Sequence, residues 1–186
     1  MTVARPKRAD AVRNRERVLA AAETVLAERG LAATIPEVAA AAGVGKGTVY
    51  RSFPTKEHLV AAVAGERLSD FAARCDEAAA APDPVGALEA VLADALRRQA
   101  EDRLLVGVLA VAARLPQLVE ARERVHAALE RLVAAGRATG ALREGVSGDD
   151  VAVLIGGISR VLLERGELDA ASWERFAGLI VSALRA

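Results

Sequence analysis

The sequence predicts an all-α protein in two parts. Residues 1–56 form a small unit built on a helix-turn-helix, and residues 57–186 form a larger helical unit. Three observations carry this expectation. Hydrophobic residues make up 53% of the chain, mostly alanine, leucine and valine, while aromatics are only 3%; that composition suits helices more than sheets. Apolar residues recur at helical spacing in nearly every segment. Between Thr34 and Leu59, two short helical segments flank a glycine and a third helix opens behind Pro54.

Taken in order, Met1 to Ala9 is a polar, basic arm with Arg5, Lys7 and Arg8 around Pro6. It reads either as a disordered terminus or as a source of phosphate and minor-groove contacts. Asp10 is placed to cap a first helix that ends at Arg29, with Val18, Ala22, Val25 and Leu26 inward and Gly30 as its stop. Arg13, Arg15 and Arg17 read as its solvated face, one of them near a DNA backbone.

Thr34 and Glu37 have the spacing of a capping box, and Pro36 falls in the first turn, where a missing N–H costs little. Gly43 is suited to the left-handed conformation of a tight helix–helix turn. Lys46 to Ser52 then form the second helix, the one that such a motif lays in the major groove. Its exposed N-terminal residues face base edges, which makes Gly45, Lys46, Gly47, Arg51 and Ser52 the candidates for reading DNA. Lys46 or Arg51 can pair with guanine, and Gly47 allows close approach. Val49 and Phe53 are expected in the core. A phosphate-binding loop is excluded, because Gly45-Lys46 is followed by Gly47 rather than Ser or Thr, and Ala40 stands where the first glycine belongs. The dinucleotide fingerprint fails at Thr48.

The stretch AGVGKGTVYRSFPTKEHL resembles the DNA-binding signature of the TetR family of transcriptional regulators, through Gly43, Val44, Gly47, Thr48, Tyr50, Phe53, Lys56 and Leu59. Gly45 departs from it, standing where a serine is usual. The resemblance implies that Thr48, Tyr50 and Lys56 contact phosphates and set register. The lesser alternative for Tyr50 is a core ring with its hydroxyl at the surface.

A long helix should start after Pro54, capped by Thr55, and run to about Ala80; by its length it could act as a lever between the two parts. Asp83-Pro84 opens a helix to Glu101. Leu104 to Ala113 is apolar on nearly every face and too short to span a bilayer, so it is expected to be centrally buried. Pro116 ends it, and a further helix runs from Gln117 to Ala138. Ser147 and Asp150 have capping-box spacing for a helix from Asp149 to Arg165, and the last helix covers Ala170 to Leu184. The family resemblance implies that these last two helices pair with their twins in a homodimer. Leu154, Ile155, Ile158, Val161, Leu162, Trp173, Phe176, Ile180, Val181 and Leu184 carry their apolar stripes; an intrachain core is the other reading. Gly156-Gly157 suits close approach of another backbone.

Net charge is zero, but residues 1–60 hold ten Lys/Arg against six Asp/Glu, and all three lysines lie there. A local basic field is what a phosphate backbone responds to. One cysteine, Cys75, excludes an internal disulfide, and two distant histidines offer no zinc site. No metal or cofactor is expected. No signal peptide or membrane-length span is present, so the expected location is the cytoplasm, away from membranes. The core shows no nucleophile beside a base, which argues against an enzyme.

The function expected is a regulator, most simply a repressor, that binds a palindromic double-stranded DNA operator as a homodimer and is released by a small, largely apolar effector. Phe71, Leu92, Leu96, Gln99, Leu105, Leu109 and His126 are its candidate lining, although by position alone His126 reads first as a satisfied structural residue. An all-helical carrier or enzyme would need no DNA, and an activator would differ only in promoter geometry.

Overall fold

A computed structural model of the chain describes residues 5–101, 104, 115–166 and 169–186. These residues form eight α-helices and no strand beyond one isolated bridge between Leu142 and Arg185. They fall into two compact units. The first comprises the described residues of Met1–Ala64 and Arg103–Gln117, and the second those of Gly65–Asp102 and Leu118–Ala186.

The first unit begins with α1, Arg5–Arg29. It starts earlier than the expected cap at Asp10, so the arm is shorter than the sequence suggested. The reason is local: Pro6 falls in the first turn, where its missing N–H is tolerated, and good helix formers follow. Asp10 pairs with Arg13 instead of capping. Gly30 ends the helix at φ 55° and a single 3₁₀ turn, Gly30–Ala32, follows.

Helix α2 (Ile35–Ala41) opens on the expected box, with the Thr34 N–H and hydroxyl both donating to Glu37 Oε2 at 2.8 Å. Those bonds, backbone first, hold the Glu37 carboxyl below its ordinary value, and Arg29 pairs with the same side chain. Gly43 turns the chain at φ 63°, and α3 covers Lys46–Ser52, the bounds the sequence predicts. Helix α4, Lys56–Ala79, begins behind Thr55, whose hydroxyl meets His58 Nδ1 at 3.0 Å. Val18, Ala22, Leu26, Val38, Val49, Phe53 and Leu59 close the core of this unit.

The second unit continues with α5 (Pro84–Glu101), α6 (Val119–Ala138), α7 (Gly148–Glu164) and α8 (Ala170–Leu184). Asp83 caps α5 by accepting from the Gly86 N–H at 3.0 Å, and Asp169 caps α8 by accepting from the Ser172 N–H at 2.8 Å. Leu88, Leu92 and Leu96 of α5 share a core with Leu129 and Leu132 of α6, Ile155 and Leu162 of α7, and Trp173 and Ile180 of α8. The expected central helix, Leu104 to Ala113, lies outside the described residues except for Leu104, which is fully buried.

The crossing of α6 and α7 is set by Gly148, where a Cβ would lie 2.4 Å from the Glu130 backbone nitrogen. The Gly148 N–H donates to Glu130 Oε2 at 2.6 Å, and Arg137 ties Glu130 to the Val146 carbonyl. The Ser147–Asp150 box is formed in both directions. Burial pushes the Cys75 thiol up to about 12, which makes it an inert core residue. Among the described residues no helix is long and apolar enough to cross a membrane and no acidic or histidine cluster could hold a metal.

Candidate nucleic-acid interface

Successive residues of α3 are about 100° apart around its axis. Lys46, Tyr50, Gly47 and Arg51 therefore share one arc of about 140°, and all four are exposed. Val49, turned away from the centre of that arc, and Phe53, the cap residue just beyond the helix, are buried, as expected. Thr48 and Ser52 lie on the side away from the arc, half-buried, while Gly45 is exposed at the entry to the helix. A Cβ added at Gly45 or Gly47 would meet nothing within 4 Å, so the outer face of the helix is open.

Charge on this arc is available to a partner. The Lys46 side chain is exposed and has no hydrogen bond or ion pair among the described residues. Arg51 donates from Nη2 to Thr48 Oγ1 at 2.9 Å, which leaves the rest of its guanidinium exposed. Tyr50 is 49% exposed, so its ring is not in the core. Lys56 is different: its Nζ donates to the Leu31 carbonyl at 2.6 Å. One of its three N–H groups is committed to holding α4 against the turn after α1.

Two arginines hold the motif in a way that spacing could not reveal. Arg17 donates from Nη2 to the Ala42 carbonyl at 2.9 Å, across 25 residues. That carbonyl is at the end of α2, where a cation satisfies an orphan acceptor and the helix dipole together. Arg15 lies 4.6 Å from the centroid of Phe53, within cation–π range. The sequence marks both only as polar positions on an amphipathic helix, so their tertiary roles carry no local signal.

In the second unit the candidate lining divides. Leu92, Leu96 and Gln99 are buried along one stripe of α5, and Phe71 of α4 is half-buried. His126 does not join them: its side chain is 44% exposed and its Nδ1 lies 3.2 Å from Asp149. It is drawn to the first turn of α7 by a carboxylate, and so stays at the surface. Leu105 and Leu109 lie outside the described residues.

The expected interface residues divide too. Ile155, Leu162, Trp173, Ile180, Val181 and Leu184 are buried in this chain's own core, because α5 and α6 already cover that side of α7 and α8. Leu154, Ile158 and Phe176 are half-buried and Val161 is exposed. Val153 (66% exposed) and Leu179, absent from the expected set, extend the open apolar face. At Gly156, Gly157 and Gly178 an added Cβ would meet nothing within 4 Å.

Comparison with known proteins agrees with this architecture. The profile described as bacterial regulatory proteins, tetR family, matches residues 18–63, and that of the SbtR-like transcriptional regulator C-terminal domain matches residues 83–186. A TetR transcription regulatory protein of Mycobacterium vanbaalenii is 36% identical, over 97% of this chain and 100% of its own, with a TM-score of 0.64.

Two more distant structures share the fold. SmeT, the repressor of the Stenotrophomonas maltophilia multidrug efflux pump SmeDEF, is 24% identical over 92% of this chain and 90% of its own, TM-score 0.67. The transcriptional regulator FadR of Bacillus subtilis, in complex with stearoyl-CoA, is 21% identical over 91% and 98%, TM-score 0.70. No curated protein sequence matches the chain significantly. Profiles over both halves and a relative at 36% identity lead to one conclusion: the chain belongs to the TetR family and is a DNA-binding transcriptional regulator.

Proposed function

We propose that this protein is a dimeric repressor that binds a palindromic operator through α3 of each protomer and is released by a small, largely apolar effector. The observation that carries the DNA reading is the open arc of α3: Lys46, Gly47, Tyr50 and Arg51 exposed together over a buried Val49 and Phe53. Lys46 and Arg51 are the base-reading candidates. Tyr50, Thr48 and Lys56 position the helix on phosphates, while Gly45, Gly47 and Ser52 shape its close approach.

The dimer reading rests on the α7–α8 surface. Val153, Leu154, Ile158, Val161 and Leu179 leave apolar area uncovered beside glycines that leave room for a neighbouring backbone. A twofold pair reads two half-sites with centres about 34 Å apart or a related spacing. An effector that favours a different separation of the reading heads weakens DNA binding, and DNA must weaken the effector by the same factor.

The experiment is a footprint on DNA upstream of the protein's own reading frame, with wild type beside Tyr50→Ala and Lys46→Ala. The expected result is a protected palindrome that both substitutions weaken, positioned to obstruct a promoter. A palindrome lying only where it would recruit polymerase would replace the repressor reading by an activator. No protection at moderate salt, with the dimer confirmed by sedimentation and no specific site in genome-wide binding, would overturn the proposal.

A further inference from the structure

Two buried polar side chains of the second unit each carry an oxygen with no hydrogen-bond partner. Gln99 on α5 is 7% exposed and its Oε1 accepts no hydrogen bond; Ser159 on α7 is 1% exposed and its Oγ makes none. Among the described residues these two alone are both polar and buried. Buried polar groups are normally satisfied, because each orphan costs free energy that leucine or alanine in its place would not.

Their positions on the helices say where they point. Gln99 continues the stripe of Leu92 and Leu96, at helical spacing, and both leucines are fully buried. Ser159 lies between Ile155 and Leu162 on the inward stripe of α7. All four apolar neighbours belong to one core cluster, and α5 packs against α7. Both orphans are thus turned into the same apolar interior, from two different elements.

We propose that this interior holds an uncharged, largely apolar ligand bearing a hydroxyl or N–H group that donates to Gln99 Oε1, with Ser159 Oγ as a second hydrogen-bonding partner. The proposal deepens the effector reading above and rests on it. A carboxylate fits poorly, because it would set negative oxygens against an acceptor oxygen in an apolar wall. Rotation of the Gln99 amide would instead offer Nε2 to an acceptor, so the test separates donors from acceptors.

The full-length protein, its Gln99→Leu variant and its Ser159→Ala variant are titrated with 1-nonanol (donor), 2-nonanone (acceptor only) and nonanoate (anion). Binding is followed by the fluorescence of Trp173, the single tryptophan, which is fully buried in the same core, and by thermal shift. Wild type is expected to bind nonanol about tenfold more tightly than the ketone or the anion. Gln99→Leu should lose that preference and Ser159→Ala should reduce it.

Without ligand, both variants should melt above wild type, since each removes an orphan. Ligand-free variants that melt below wild type would overturn the inference whatever binds, because the two groups would then have structural partners. If all three probes bind alike in wild type and Gln99→Leu, and release DNA, the effector reading stands and this inference falls. If none binds, both fall.

Discussion

Gly43→Ala tests the turn that aims α3. Gly43 has φ 63°, and a Cβ built on it would stand 3.3 Å from Arg17 Nη2, the same nitrogen that donates to the Ala42 carbonyl at 2.9 Å. Placing an L-residue in the left-handed region costs about 1–2 kcal/mol. The crowding is against the far end of a flexible side chain, so it adds only part of a charge-assisted hydrogen bond, whose whole net worth is about 1.5–3 kcal/mol. The expected loss is about 2–3 kcal/mol, a large fraction of the stability of a small unit.

The assay is urea unfolding at fixed protein concentration, read beside operator affinity, for wild type, Gly43→Ala, Arg17→Ala and the double variant. Backbone strain alone would make the two costs additive, whereas loss of the Arg17–Ala42 bond to the new methyl would appear as coupling in the cycle. DNA affinity should fall more than stability alone explains, because a changed turn misdirects α3. A Gly43→Ala loss below about 0.5 kcal/mol would refute the left-handed turn argument.

Gly47→Ala should leave the fold intact, since its Cβ meets nothing within 4 Å; helix propensity should rise by up to about 1 kcal/mol. Operator affinity should nonetheless fall, and unchanged affinity in a filter-binding assay would remove Gly47 from the interface. Lys46→Ala should weaken binding and, if the ammonium meets a phosphate rather than a base, reduce the salt slope by about one per protomer; titrations at several salt concentrations read this directly.

Gly148→Ala should destabilise the second unit by about 3 kcal/mol or more, because the new Cβ meets backbone that cannot rotate away. Circular dichroism melts would refute this with an unchanged midpoint. Asp150 is held below its ordinary value of 3.8 by the Ser147 hydroxyl and N–H. A depressed carboxyl stabilises the fold above its unfolded value and loses that contribution as pH falls through the folded one. Asp150→Asn should therefore be less stable than wild type near neutrality, with the gap closing in acid; a gap that widens in acid would contradict the assignment.

Helix identity was legible in the sequence wherever local chemistry is strong. The bounds of α3, α5 and α8 were read correctly from Gly43, Pro84 and the apolar stripes, and the Thr34–Glu37 and Ser147–Asp150 boxes from spacing of three. Local signals failed at the first helix, where Asp10 offered a plausible cap but nothing prevented an earlier start. They also failed for burial on α7 and α8, since an apolar stripe states that a face is covered without stating by what. Most of that stripe is covered by α5 and α6, and the open apolar face also takes in Val153 and Leu179, which lie outside the expected set.

By itself the sequence determined an all-α chain, a helix-turn-helix with its reading helix at Lys46–Ser52, and the family signature that implies DNA. Those follow from capping, periodicity and glycine placement, all of which act within a few residues. Only the tertiary structure decided that Lys56 bonds Leu31 and Arg17 bonds Ala42, each across 25 residues. It also decided that His126 faces Asp149, and that Gln99 Oε1 and Ser159 Oγ are buried without a hydrogen bond. Hydrogen bonds and burial of that kind depend on which helices meet, and no window of sequence a few turns long contains both sides of the contact.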